Sequence, residues 1–222
     1  MTDIRITVAG LRKDFNRRPV FSDISFDLSG GRTLAISGRN GSGKSTLLKI
    51  IASLLSPSAG AVSLTIDGVE IHRRWTFRHV GMVAPYLHLY EEFTALENLT
   101  LIDRIRGSNH TASEYEEMLA MVSLERRRHD VVRTFSSGMK QRLKYALAWM
   151  DRPGLLLLDE PRTNLDPEGI TTMKTLFKEQ RGNGIVIVAT NEEDDAVMCD
   201  ERISLSGVPP PGAPGTGRKG GR

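Results

Sequence analysis

Residues 38–45 read GRNGSGKS, which satisfies the spacing G-x-x-x-x-G-K-[ST] in full. Glycines at 38, 41 and 43 let the backbone fold tightly, so that successive N–H groups point into one concavity that suits an anion. Lys44 then reaches the outer phosphates of a bound polyphosphate, and the Ser45 hydroxyl ligates a divalent cation. The pattern implies ATP and Mg2+, with Gly38, Arg39, Asn40, Gly41, Ser42, Gly43, Lys44, Ser45 and Thr46 as candidate binding residues. More than a hundred residues later the chain reads LLLLDEPRTNLD, from 155 to 166. Leucines in a row favour burial, whereas ionised carboxylates are costly to bury without a partner. A hydrated Mg2+ at the phosphate cradle would be that partner for Asp159, and Glu160 would accept a proton from the water attacking the terminal phosphate. Alone, LLLLDE reads equally well as a strand that happens to end in acids; its meaning comes from GRNGSGKS.

These groups need a scaffold. The run LAIS ahead of the glycine loop reads as a strand, and Leu47, Leu48, Ile51, Leu54 and Leu55 behind it recur at helical spacing until Pro57. IRITVAG and VFSDISFDLSGG are further strands, while AVSLTIDGVEI and VGMVA predict an antiparallel layer beside the main sheet. TALE and TASE are capping boxes, each a threonine with a glutamate three residues on. They open two helices of an inserted helical subdomain, about residues 94–134. Met139, Leu143, Ala146, Leu147 and Met150 make the apolar stripe of another helix, with Lys140, Arg142 and Lys144 off it. IVIVAT, like the leucine run, reads as a strand buried on both faces. Between them Asp166 and Pro167 start a helix that carries Ile170, Met173 and Phe177 and is closed by RGNG. The fold class this predicts is α/β: a P-loop NTPase core with a mostly parallel sheet, an antiparallel β layer and the inserted helices. Residues 1–207 form the ATP-binding domain, and the Pro/Gly-rich stretch 208–222 is expected to be disordered.

The 222 residues, 39% apolar and 26% charged, suit one globular unit, and the net charge of +3 does not by itself point to nucleic acid. No apolar run approaches the roughly 20 residues that cross a bilayer. The opening residues lack a secretory h-region, and the single Cys199 excludes an internal disulfide framework, so a cytoplasmic location is expected.

The stretch FSSGMKQRLKYALAWMDRPGLLLLDEP, downstream of GRNGSGKS, resembles the ATP-binding cassette (ABC) ATPases of membrane transporters. The likeness runs over nearly all of residues 4–205. It implies a head-to-tail pair of cassettes, like or unlike, with Ser136 and Gly138 reaching the γ-phosphate of the nucleotide held by the other subunit. It also implies that Phe15 stacks on adenine and that Asp166 communicates across the dimer. An ordinary strand-end aromatic at Phe15 and a simple helix cap at SSG are the plainer alternatives. The chain departs from the family pattern in three motifs. Phe135, Ser137 and Met139 replace three residues of the signature L-S-G-G-Q. Pro85 or Tyr86 stands where a glutamine follows VGMV. Asn191 replaces the switch histidine; it donates a hydrogen bond but carries no charge, so hydrolysis is expected to be slower than with histidine.

The resemblance further implies a transmembrane transporter subunit as partner, a peripheral place on the inner face of the cell membrane, and no nucleic-acid partner. Within the family, the length and EEFTALENL are similar to the ATPase of the haem exporter of cytochrome c maturation. The basic runs HRRWTFRH and ERRRH read as solvated turns, or as contacts to acidic lipid or the membrane subunit. Two other readings stand beside transport: a soluble cassette acting on nucleic acid or the ribosome, and a regulatory module that binds ATP without hydrolysing it.

Overall fold

The computed structural model describes residues 3–205; the tail 208–222 lies outside them. The chain opens with β1 (Ile4–Phe15), β2 (Arg18–Ser29) and β3 (Thr33–Ser37), then α1 (Lys44–Ile51), β4 (Ala59–Ile66) and β5 (Val69–Glu70). A short tight-wound helix (Arg73–Arg78) leads to β6 (Val80–Val83), followed by α2 (Ala95–Arg106), α3 (Ala112–Met121) and α4 (Ser137–Trp149). Then come β7 (Leu155–Asp159), α5 (Pro167–Asn183), β8 (Ile185–Thr190), α6 (Glu193–Ala196) and β9 (Glu201–Ser204).

Two sheets organise the molecule. An antiparallel sheet runs β2-β1-β4-β5, and a five-stranded sheet runs β6-β7-β8-β3-β9. Every pairing in the second is parallel. In β1, Ile4, Ile6 and Val8 are buried while Arg5 and Thr7 between them are not, the period of two expected of a sheet with one wet face. β3, β7 and β8 are buried at every position, as parallel strands covered on both faces must be. Alternate residues divide between two cores. Leu155, Leu157, Ile185 and Ile187 pack with α1 and the antiparallel sheet. Leu156, Leu158, Val186 and Val188 pack with α4, α5 and the helices before them. A buried leucine contributes about 1.5–3 kcal/mol, so the run anchors both cores at once.

VGMV does not join the antiparallel layer that the sequence predicts for it. It is β6, paired with β7 at the edge of the parallel sheet. The tight helix of residues 73–78 carries the chain from one sheet to the other. A Cβ on Gly81 would lie 2.2 Å from the Ala148 carbonyl, so the glycine is what lets α4 lie against this strand. α1 also stops earlier than its apolar spacing suggests, at Ile51, and Leu54 is exposed. Arg142 is buried rather than on the wet side of α4.

Both capping boxes form. Thr94 Oγ1 accepts from the Glu97 amide and the Glu97 carboxylate accepts from the Thr94 amide; Thr111 and Glu114 repeat the arrangement. A bridge between Thr94 and Val131 and bonds from Val132 and Arg133 back to Phe93 and Glu91 tie the start of this helical segment to its end. Among the described residues no helix is long and apolar enough to cross a membrane.

Candidate functional site

Parallel strands leave all their carboxyl ends on one edge, where ligands of open α/β sheets bind. Register sharpens this: Asp159 lies opposite Ala189, and Thr190 lies opposite Ser37. The segments leaving β3, β7 and β8, which carry GRNGSGKS, Glu160 and Asn191, therefore emerge side by side.

The loop after β3 takes a conformation that demands glycine. Gly38, Gly41 and Gly43 have φ of 151°, 81° and 103°. A Cβ at Gly38 would lie 2.5 Å from the Leu205 carbonyl oxygen, and one at Gly43 would lie 2.6 Å from the Val20 side chain. Gly43 caps α1 and no side chain caps the helix, so its first amides face the loop without a side-chain acceptor.

Lys44 is buried, and its ammonium donates to the Gly38 carbonyl at 2.8 Å and to Asn191 Oδ1 at 2.7 Å. It also pairs with Glu160 at 3.6 Å. Asn191 in turn donates from Nδ2 to Asn40 Oδ1. The asparagine after β8 thus clasps the glycine loop at two points. This is a contact that spacing could not foresee, since 147 residues separate Lys44 from Asn191.

Asp159 is 1% exposed, and neither carboxylate oxygen has a hydrogen-bond partner. Burial pushes its pKa up. The Ser45 hydroxyl, the Lys44 and Lys49 ammonium groups and the Tyr86 hydroxyl pull it back without reversing the shift. An unpartnered buried carboxylate beside a serine hydroxyl offers only oxygen donors, which fits a hard divalent cation such as Mg2+. Glu160 is less enclosed. Its pKa is raised by burial and lowered by Lys44, with the Asp159 charge raising it again. Its φ of 47° lies in the left-handed region, a strain of about 1–3 kcal/mol of the kind found where a side chain is aimed for use. A raised pKa makes this carboxylate a better proton acceptor.

Beyond Glu160, Arg162 bonds to the buried Asp195 and to Asp194, and Asp195 also accepts from Thr190 Oγ1. This clamp joins the segment after β7 to the segment after β8, flanking Glu160 and Asn191. No sequence signal singles it out.

Phe15 sits at the end of β1, opposite Arg18, 47% exposed as a residue, with Lys13 over its ring at 4.7 Å. Ser136 caps α4, its Oγ accepting from the Met139 amide at 3.2 Å. A Cβ on Gly138 would lie 2.8 Å from Asp166 Oδ2. Asp166 also accepts from the Gly169 amide at 2.7 Å and starts α5. Neither Ser136 nor Gly138 hydrogen-bonds to residues 38–46 among the described residues, so one chain presents the two motifs as separate surfaces. Arg142, one turn after Gly138, ties this corner together: it donates to the Val122 carbonyl at 2.7 Å and pairs with Glu168 and Asp166. Its spacing of four from Gly138, which puts both on one helix face, was the available signal.

A family model described as ABC transporter matches residues 21–163. A lipoprotein-releasing system ATP-binding protein of Caulobacter vibrioides is 35% identical over 220 residues, covering 93% of this chain and 94% of its own. A Nod factor export ATP-binding protein I of Rhizobium is 31% identical over 209 residues, 92% of this chain and 69% of its own. Among solved structures, a dimeric ATP-binding cassette in a post-hydrolysis state, bound to ADP and Pi, superposes with a TM-score of 0.78 at 25% identity, over 90% of this chain and 94% of that one.

Proposed function

The chain belongs to the ABC transporter family as an ATP-binding subunit, and from that premise we propose that it hydrolyses ATP to drive outward transport through a membrane partner. The observation that carries this reading is the enclosed, unpartnered Asp159 carboxylate, raised on a buried strand beside the loop that holds Lys44 and Ser45. Lys44 binds the β- and γ-phosphates, exchanging its present acceptors for phosphate oxygens. The backbone amides of residues 38–46 cradle the chain of phosphates, and Phe15 stacks on the base. Ser45 and Asp159 would hold Mg2+, which when bound would neutralise charge on the phosphoryl oxygens. Glu160 takes the proton of the attacking water, and Asn191 donates from its amide to a γ-phosphate oxygen. Asn191 carries no charge, so turnover is slow relative to a site with histidine.

Ser136 and Gly138 complete the site of a second chain, like or unlike, in a head-to-tail dimer, and Asp166 transmits closure between the two. The dimeric relative bound to ADP and Pi supports that arrangement. Relatives named for lipoprotein release and Nod factor export support an outward direction and transport rather than action on nucleic acid. They also support a peripheral position on the cytoplasmic face of a membrane. The narrowest substrate reading, haem for cytochrome c maturation, rests on EEFTALENL alone.

The test is purification from detergent extract with the membrane protein that accompanies the chain. We expect Mg2+-dependent phosphate release that Glu160→Gln lowers by about 10²–10⁴-fold, the usual contribution of a positioned proton acceptor, with ATP-dependent dimers accumulating in that variant. Absence of turnover in the wild type, alone and with its partner, would favour the non-hydrolysing regulatory reading. The identity of the companion decides whether haem is the substrate.

A further inference from the structure

Glu160, the proton acceptor of the reading above, holds a backbone conformation that a glutamate does not favour. Its φ of 47° is left-handed, and Asn164 in the same turn is left-handed as well, at 61°. A residue other than glycine stays in that region only where its surroundings over-determine it. Here β8, α4 and α6 each hold the turn. The Glu160 amide donates to the Ala189 carbonyl of β8 at 2.8 Å. The Tyr145 hydroxyl, buried on α4, donates to the Pro161 carbonyl at 2.9 Å. Arg162 donates from Nε to Asp195 Oδ1 at 2.5 Å and from Nη1 to Asp194 Oδ2 at 3.1 Å, both on α6.

The bond to α6 leads on to Asn191. Asp195 is 3% exposed, and both of its oxygens are used: Oδ1 takes Arg162, and Oδ2 takes the Thr190 hydroxyl at 3.1 Å. Thr190 immediately precedes Asn191, and its Oγ1 accepts from the Glu192 amide at 3.0 Å, on the far side of Asn191. A continuous chain of bonds therefore runs from the turn that carries Glu160 to both neighbours of Asn191. α6 is held on its other flank too, because Arg202 pairs with Glu193 at 2.8 Å and donates to Ser37 Oγ at 3.1 Å. Asp194 is exposed, so its pair with Arg162 adds little. The enclosed, charge-assisted bond to Asp195 is the one that sets geometry.

We propose that Arg162 is a positioning residue for ATP hydrolysis: through Asp195 and Thr190 it fixes the separation of Glu160 and Asn191. Among the described residues Arg162 makes no hydrogen bond to residues 38–46, so phosphate binding by the glycine loop does not pass through it. Misplacing reacting groups by about 1 Å costs on the order of 10²-fold in rate. A bond between the two segments that carry those groups therefore acts on kcat rather than on nucleotide affinity. The inference rests on the hydrolysis reading above and deepens it by assigning a residue that touches neither nucleotide nor water.

The experiment uses the full chain with the membrane protein that purifies with it, measuring steady-state Mg2+-ATP hydrolysis and, separately, ATP binding. Arg162→Gln should lower kcat by about 10–100-fold, with KM and ATP affinity unchanged. Arg162→Lys keeps a charge beside Asp195 but not the guanidinium fork, and should recover part of the rate. Thr190→Val breaks the relay at its other end and should lower kcat in the same way. The double variant Arg162→Gln/Thr190→Val should lose no more than the larger single loss, because residues that act as one unit are not additive. Wild-type kcat in Arg162→Gln overturns the assignment, and so do losses that multiply in the double variant. A fall in ATP affinity that matches the fall in kcat overturns it as well, since it marks a purely structural clamp. If Arg162→Gln does not fold, Arg162→Lys and Thr190→Val carry the same comparison. A wild type that hydrolyses no ATP sinks the underlying functional reading instead.

Discussion

Two regions of this molecule that bury carboxylates treat them in opposite ways. In the helical segment each finds a partner. Asp103 accepts from His110 at 2.5 Å, Asp151 accepts from Arg106 at 2.7 Å and from Ser108 at 2.6 Å, and Asn98 bonds to Tyr90 and Thr94. At the carboxyl edge of the parallel sheet, Asp159, Tyr86 and Ser42 are shielded and unpartnered. The remaining shielded atom, Arg142 Nε, belongs to a guanidinium whose Nη1 is bonded to carbonyls. Satisfied polar groups fix a geometry; unsatisfied ones keep a geometry ready for a ligand and cost stability until it arrives.

The largest effect that would test this contrast is at Asp159. Asp159→Asn should weaken Mg2+-ATP binding by roughly 10²-fold, about 2–3 kcal/mol for a lost charged contact, as read by calorimetric titration. The same variant should melt higher than wild type without nucleotide, because a buried charge has been removed. Equal or lower melting temperature would break the comparison. In the helical segment the sign reverses. Asp151→Asn strips Arg106 and Ser108 of their acceptor and should cost about 1.5–3 kcal/mol in urea unfolding, with ATP affinity untouched.

Acidity separates the regions in the same way. The folded pKa of Asp159 is raised above the ordinary 3.8, so its ionisation destabilises the fold above that value, and the penalty is relieved as pH falls through the folded pKa. Burial alone would raise Asp103 too, but hydrogen bonds from His110 and Tyr115 outweigh it and its pKa is lowered. Its stabilisation is present above 3.8 and lost as pH falls through the depressed folded value. Stability measured against pH should therefore lose its upper limb in Asp159→Asn and its lower limb in Asp103→Asn.

Asn191→His should raise turnover by about five- to tenfold, since a charged donor is worth about 1 kcal/mol more than a neutral one; an unchanged or lower rate would show that the clasp on Lys44 and Asn40, not charge, is what this position supplies. The smallest change expected is Thr111→Ala, which removes one capping box for about 1 kcal/mol and should leave nucleotide binding alone.

The residues of this contrast were unequally legible in sequence. GRNGSGKS is a contiguous motif whose glycines are required by local backbone angles, so it could be read directly. The same holds for the capping boxes and for the leucine run, whose burial on two faces follows from its composition. A four-residue apolar strand such as VGMV carries no mark of which sheet it joins; the deciding fact is the close approach of α4 to Gly81. A helical wheel shows only the stripe facing one core, so it leaves Arg142 on the wet side, whereas α4 is also enclosed by the end of α3 and the start of α5.

The sequence by itself determined the chemistry on offer: a phosphate cradle, a strand that buries its carboxylate, and a family. Local rules suffice there, because backbone angles, caps and periodicity involve neighbours along the chain. Tertiary structure alone decided that Asn191 meets Lys44, that Arg162 holds Asp195, and that Tyr86 turns inward while Pro85 does not. Those contacts depend on parallel register across β6, β7, β8 and β3, which brings together residues far apart in the chain that no local spacing relates.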